Sequence, residues 1–195
     1  MNIKPILPLL FLALVSTGSV PGQTPIQSPP QVLIKTTMGD ITIELNPDKS
    51  PLTVRNFLSY VHDGFYEGTV FHRVLPKSII QGGGHTADMK EKPAKAPIKN
   101  EAANRLKNKR GTVAMARRGA HTATCQFFIN LVNNSSLNHR AKTEEEFGYC
   151  VFGKVVAGMD VVDAIAKVPT GWVRGYPDVP LEPVTILSVE IVGAK

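Results

Sequence analysis

Apolar and polar positions alternate along Val32 to Thr37 and again along Ile41 to Leu45, with Met38-Gly39-Asp40 between the two runs. A period of two buries one face of a strand and exposes the other, and a short glycine-containing turn joins two such runs into a hairpin. The period then changes. Val54, Phe57, Leu58 and Val61 recur at helical spacing behind Ser50-Pro51, and Gly64 follows them. This predicts a helix with Ser50 as N-cap and Pro51 at its first position. Runs rich in β-branched and aromatic residues return at Val70 to Val74, Ile79 to Gly82, Thr112 to Arg117, Gln126 to Leu131, Cys150 to Val156 and Val184 to Val192, bringing the expected strands to eight. A second helix fits Asp160 to Lys167, with Asp in its first turn, Lys in its last and Pro169 beyond. Strands dominate and no internal repeat is visible. The expected fold is mainly β: a closed eight-stranded antiparallel β-barrel capped at its open ends by two α-helices.

Composition alters this picture mostly at the N-terminus. Residues 1–22 carry Lys4, an apolar run from Ile6 to Val15 and then small residues, the pattern of a secretory signal peptide. That run falls short of the ~20 residues of a membrane span, so no stable membrane insertion is expected. Residues 23–30 read as a flexible Pro-rich linker, and 31–195 as the folded domain. Of 195 residues 43% are hydrophobic, enough for one sizeable core. Removing the signal segment takes away only Lys4, so the net charge falls from +6 to +5. The basic positions between Lys90 and Arg118 are interleaved with Pro, Asn and Ala and lack an aromatic pattern. A solvated basic face is expected there, and no nucleic-acid partner. An exported protein could pair Cys125 with Cys150; two buried free thiols fit equally well.

Candidate chemistry begins with an anomaly. In Phe71-His72-Arg73-Val74-Leu75-Pro76 an arginine sits among apolar β-formers, on the strand face it shares with Phe71. A guanidinium cannot shed its charge to escape burial, so Arg73 needs a reason to be there. Common catalytic arrangements are missing: no G-x-S-x-G, no P-loop, no H-E-x-x-H and no C-x-x-C. His62, His72, His85, His121 and His139 lack metal-ligand spacing, so metal catalysis is not expected. Gly82-Gly83-Gly84 has no Gly-Lys-Ser/Thr after it and reads as a turn rather than a phosphate cradle.

F-H-R-V-L-P, Q-G-G-G, G-T-V-A-M-A-R, Q-F-F-I-N and V-F-G-K-V occur in order, and with them the chain resembles the cyclophilins, the peptidyl-prolyl cis-trans isomerases. The likeness runs from about Val32 to Val192 and is greatest to the exported bacterial branch. It implies a barrel with a proline-binding groove on its outer surface and Arg73 as the catalytic residue. By the same motif match Gln81 would hold Arg73 or a substrate carbonyl, and Gln126 would bond substrate backbone. Phe128 would wall the proline pocket, with Ile79 and Leu137 as further lining and Phe127 in the core. Ala116 and Arg117 would place backbone groups along the substrate strand, and Tyr149 stands where many members carry histidine. The implied protein is a monomer without a cofactor. It acts on proline-containing unfolded or flexible polypeptides, as a folding chaperone in the periplasm, or as a secreted protein in a host lacking an outer membrane.

The implied chemistry suits an arginine. Rotation about an X-Pro bond must cross ~18–20 kcal/mol of amide resonance, and no bond is made or broken. A guanidinium hydrogen bonding the prolyl nitrogen, as its lone pair leaves conjugation, favours the twisted state over either planar one. Activity nearly flat from mild acid to mild base is therefore expected. Two departures stand against full activity. Ser78 replaces an aromatic that floors the pocket in the family, and Ser136 precedes Leu137 where Trp or Phe is common. The expectation is a weaker isomerase with low cyclosporin sensitivity. A module or holdase that binds proline segments with little turnover is the competing reading. Arg117 and Arg118, placed beside the groove, suggest a preference for acidic residues flanking the proline.

Overall fold

The computed structural model describes residue 1 and residues 29–192. The expected signal segment beyond Met1, and the linker up to residue 28, lie outside the described residues. The elements in chain order are β1 (Gln31–Thr36), β2 (Gly39–Leu45), α1 (Pro51–His62), β3 (Arg73–Leu75), β4 (Ile79–Gly82), β5 (Thr112–Met115) and β6 (Phe127–Asn130), followed by β7 (Val151–Ala157), α2 (Met159–Ile165), β8 (Thr170–Val173), β9 (Tyr176–Pro180) and β10 (Ile186–Val192).

Eight strands form one antiparallel sheet in the order β10-β1-β2-β7-β5-β6-β4-β3. The sheet curls but its ladder does not close, which corrects the expected closed barrel. β3 has only three residues and pairs with β4 alone, so the two edges never meet as strands. They are stitched ahead of β3 by a single bridge between Val70 and Thr185, by the Phe71 N–H donating to the Val184 carbonyl at 2.9 Å, and by the Ile186 N–H donating to the Thr69 carbonyl at 2.8 Å. The expected strand over Val70 to Val74 is thus split. Its first half makes the seam, and its second half, carrying Arg73, belongs to the outer face.

The inner face of the curl is aromatic. Phe57, Tyr66, Phe71, Phe127 and Phe152 are fully buried, and Phe127 meets Phe57 at 5.7 Å and Tyr66 at 5.6 Å, both nearly perpendicular. Each such ring contributes ~1.5–3 kcal/mol by leaving water. Helix α1 buries Val54, Phe57 and Val61 in this core, and α2 adds Val162 and Ile165. Ser50 does precede α1, yet its hydroxyl donates to the Val151 carbonyl rather than capping the helix. The cap comes from far along the chain: the Glu101 carboxylate accepts from the N–H groups of Leu52 and Thr53, where a helix N-terminus favours negative charge.

One element was not anticipated. β8 and β9 form a separate two-stranded sheet between α2 and β10, with β9 packed on β3. Cys125 and Cys150 are free, buried thiols in different clusters, the first in the main core and the second beside Ala102 and Phe147.

Candidate active site

Register assembles the site. The β3–β4 ladder sets Arg73 opposite Gln81, and the β4–β6 ladder sets Gln81 opposite Phe128. Alternation along β6 sends Phe127 inward to the aromatic core and Phe128 to the other face, as a strand must. The Gln81 amide donates to the Gln126 side-chain oxygen at 2.9 Å. Gln126 can lie there because Gly84 leaves room: a Cβ on Gly84 would overlap the Gln126 side chain. Gly83 takes φ +82°, and a Cβ on it would come within 2.8 Å of the Phe127 ring. The glycine run is a turn that lets one glutamine and one phenylalanine approach the backbone.

Arg73, Gln81, Gln126, Ala116 and Arg117 open onto one cavity of about 560 Å³. The Arg73 side chain is 44% exposed, with Nε 3.7 Å from Oδ2 of Asp178 on β9. The remaining expected residues form an apolar wall next to this cavity rather than lining it. Ile79 and Phe128 are buried with Ala114 and Val151, while Leu137, Tyr149 and Ala116 pack partly exposed against them. Phe128 is 2% exposed, and its ring meets Tyr149 edge-on at 5.5 Å. Ala116 belongs to both halves. Its N–H donates to the Gln126 carbonyl at 2.9 Å. Arg117 is likewise engaged within the protein. Its Nε donates to the Gly148 carbonyl at 2.9 Å and its guanidinium lies 4.7 Å from the Tyr149 ring centre. The strand expected to reach Arg117 ends at Met115.

Several groups in the cavity were not singled out from sequence. His72 and His85 stack with ring centres 4.2 Å apart and are 5% and 3% exposed. Nδ1 of His72 and both ring nitrogens of His85 lack hydrogen-bond partners. Burial, and then the neighbouring His85, push the His72 pKa down to about 3; burial likewise lowers that of His85. Both rings are therefore neutral near pH 7. Glu91 sits 3.6 Å from His85 Nε2 and 3.1 Å from Arg118. Tyr176 and Pro177 reach the cavity from the unanticipated hairpin. Only the Phe-His-Arg tripeptide could have flagged His72; nothing local marks Asp178 or Glu91. Among the described residues, no group of three or more His, Cys, Asp or Glu is placed to hold a metal ion.

What this arrangement can do is limited by what it contains. It has a half-exposed guanidinium, two amides joined edge to edge, an apolar wall and two buried histidines that are neutral near pH 7. Such a site can bind an extended backbone and polarise it. The family model described as cyclophilin type peptidyl-prolyl cis-trans isomerase/CLD matches residues 31–191. Peptidyl-prolyl cis-trans isomerase cyp18 of Streptomyces antibioticus is 54% identical over 163 residues, 83% of this chain and 98% of that protein. Peptidyl-prolyl cis-trans isomerase B of Escherichia coli K12 is 54% identical over 161 residues, covering 82% and 98%. Among solved structures, a cyclophilin type peptidyl-prolyl cis-trans isomerase of Cryptosporidium parvum superposes with TM-score 0.68 at 26% identity, covering 83% of this chain and 96% of that one. A second crystal structure of that protein, in the presence of the dipeptide Ala-Pro, also gives TM-score 0.68.

Proposed function

The chain belongs to the cyclophilin-type peptidyl-prolyl cis-trans isomerases, and on that premise we propose that it turns X-Pro bonds in exported polypeptides, with Arg73 as the catalytic residue. One observation carries the assignment of the site: Arg73, Gln81 and Gln126 open onto a single cavity continued by the Phe128 wall. With Nε of Arg73 turned to Asp178, the two Nη groups are the donors left for a visiting prolyl amide. Gln126 and Gln81 offer the substrate backbone a donor and an acceptor, and the pyrrolidine ring rests on Phe128, Leu137 and Tyr149. As the peptide twists, the prolyl nitrogen regains its lone pair and accepts from Arg73. That bond is stronger in the twisted state than in either planar one, which is what lowers the barrier. No side chain changes protonation state.

Export rests on the N-terminal sequence alone. Folding of proteins beyond the cytoplasmic membrane, in a periplasm or outside the cell, is the role we infer from it. Ser78 is half-buried and Ser136 exposed, and neither supplies a ring. Losing a partial ring contact of up to ~1.5–3 kcal/mol at each place lowers substrate affinity and cyclosporin binding together. The same two serines favour the second reading, a module that holds proline segments with little turnover. Exchange spectroscopy on a short Ala-Pro peptide separates the two. The isomerase reading expects an accelerated cis-trans rate that collapses in Arg73→Ala. Equal rates in both proteins at the uncatalysed value leave the binding module.

A further inference from the structure

Beyond the far side of the Phe128 wall lies a second cleft, of about 360 Å³, on the outer face of β2, β7 and β5. Its rim is the irregular segment 105–109, which begins with Arg105 at φ +70° and in which Arg105, Lys107 and Lys109 are exposed, Leu106 is half-buried and Asn108 buried. These three exposed cations all line the cleft, and Lys154 on β7 adds a fourth. Glu44 is the only acid lining the cleft, and it is paired with Lys154 at 2.9 Å. Among the described residues, Arg105, Lys107 and Lys109 have no carboxylate partner. Their neighbours differ: Arg110 is held by Asp163 at 2.7 Å, Arg118 by Glu91 at 3.1 Å, and Arg117 by Gly148 and Tyr149. Arg105, Lys107 and Lys109 thus form a cluster of three cations without an acidic partner beside the groove, whereas Arg118 is paired and Arg117 is tied down by a carbonyl and a ring.

The inward residues tie this rim to the groove. Leu106 packs in the same apolar cluster as Phe128, Leu137 and Tyr149, and Val151 contributes to both the cluster and the cleft. Asn108 is 2% exposed; its N–H donates to Asn138 Oδ1 at 2.8 Å, its amide to the Leu137 carbonyl at 3.0 Å, and its Oδ1 accepts from Asn130 at 3.2 Å. Packing through Leu106 and hydrogen bonds through Asn108 thus join the basic rim to the proline wall. We propose that this cleft docks an acidic segment of the same polypeptide whose proline occupies the groove, so that the enzyme selects clients with Asp- or Glu-rich sequence on one side of the target bond. The inference rests on the groove being the isomerisation site. Docking raises the local concentration of the proline at Arg73 without touching the rotation itself. It is electrostatic, so it fades with salt.

The test uses four peptides in which Ala-Pro is joined through a short spacer to four glutamates or four glutamines, placed before or after the proline. For the wild-type protein at low salt, KM for the glutamate peptide in one polarity is expected to be about tenfold below that of its glutamine twin, with kcat unchanged. The double variant Lys107→Glu/Lys109→Glu should erase that gap and leave both glutamine peptides as they are. Equal KM for glutamate and glutamine tails in both polarities overturns the proposal, as does a gap that survives in the variant. A titration with tetraglutamate alone, followed by NMR shifts of residues 105–109, reads the cleft even if Ala-Pro turnover is absent. No shift there overturns the cleft, whereas missing turnover alone counts against the groove. If single-stranded DNA or anionic vesicles bind the cleft more tightly than the glutamate peptide, the acidic-client assignment falls.

Discussion

Phe127 and Phe128 are neighbours on β6, yet they belong to different worlds. Phe127 stands among Phe57, Tyr66 and Phe71 in a sealed aromatic core; Phe128 stands against Ala114, Val151 and the ring of Tyr149 on the face that adjoins Arg73. On the inner face the neighbours are aromatic rings, and the one hydroxyl among them, on Tyr66, donates to the Cys125 carbonyl at 2.9 Å. The outer face mixes the wall with Gln81, Gln126 and two histidines that lack partners for three of their ring nitrogens. A strand period of two thus holds stability and chemistry one residue apart, and substitutions on the two faces should fail in different ways.

The largest expected effect lies inside. Phe127→Ala should destabilise the fold by ~3–5 kcal/mol, because the cavity left among Phe57, Tyr66 and Phe71 cannot collapse fully. Phe128→Ala should cost the fold less and raise KM for Ala-Pro peptides. Parallel denaturant titrations and kinetics check this contrast; the comparison fails if Phe128→Ala unfolds the protein as readily as Phe127→Ala.

Acid should come next. In the unfolded chain His72 binds its proton near pH 6.5, in the folded protein only near pH 3. Between those values the unfolded state holds more protons, so this contribution is complete above about 6.5 and is lost as pH falls, at up to ~1.4 kcal/mol per unit. Melting temperature should therefore drop from pH 7 to pH 4.5, while kcat/KM stays flat between pH 6.5 and 9. A melting temperature that holds or rises on acidification would contradict the buried neutral histidine. A bell-shaped rate profile would point to an acid or base taking part in the reaction, against a mechanism in which no side chain changes protonation state.

Gly84→Ala should act through position alone. Gly84 has no positive φ to lose, so the added methyl displaces Gln126 and leaves the fold standing. A fall in kcat/KM on the order of ten- to a hundredfold is expected. Unchanged kinetics would remove Gln126 from the site. The smallest effect belongs to Asp178→Asn: a partly exposed pair at 3.7 Å is worth ~0–1 kcal/mol, so a change of no more than about fivefold is expected in kcat with KM held.

These two faces were unequally legible. Alternation at Val32 to Leu45, and the β-branched and aromatic run at Gln126 to Leu131, are local signals, and strands formed at both. The inward and outward split of the two phenylalanines came from the family resemblance, since Phe-Phe-Ile-Asn has no polar alternation to reveal it. The hairpin Thr170–Pro180 escaped because Gly171, Gly175, Pro177 and Pro180 read as loop, and with it went Asp178, Tyr176 and Pro177. The Glu101 cap on α1 and the Glu91 partner of Arg118 join residues 48 and 27 positions apart, which no local pattern encodes. Closure was overestimated because eight strands can be counted from sequence, whereas the three-residue length of β3 depends on where Arg73 turns outward. The residues that surround a polar site are set by tertiary contacts; those that fill a core are set by period.

The most direct test compares wild type with Arg73→Lys by exchange spectroscopy on an Ala-Pro peptide, with melting temperature measured alongside. Lysine keeps the positive charge and loses the planar fork, so the account expects the catalysed rate to fall by on the order of a hundredfold or more while the fold stays intact. A lysine variant that turns over at the wild-type rate would contradict the claim that a fixed guanidinium donor eases the twist.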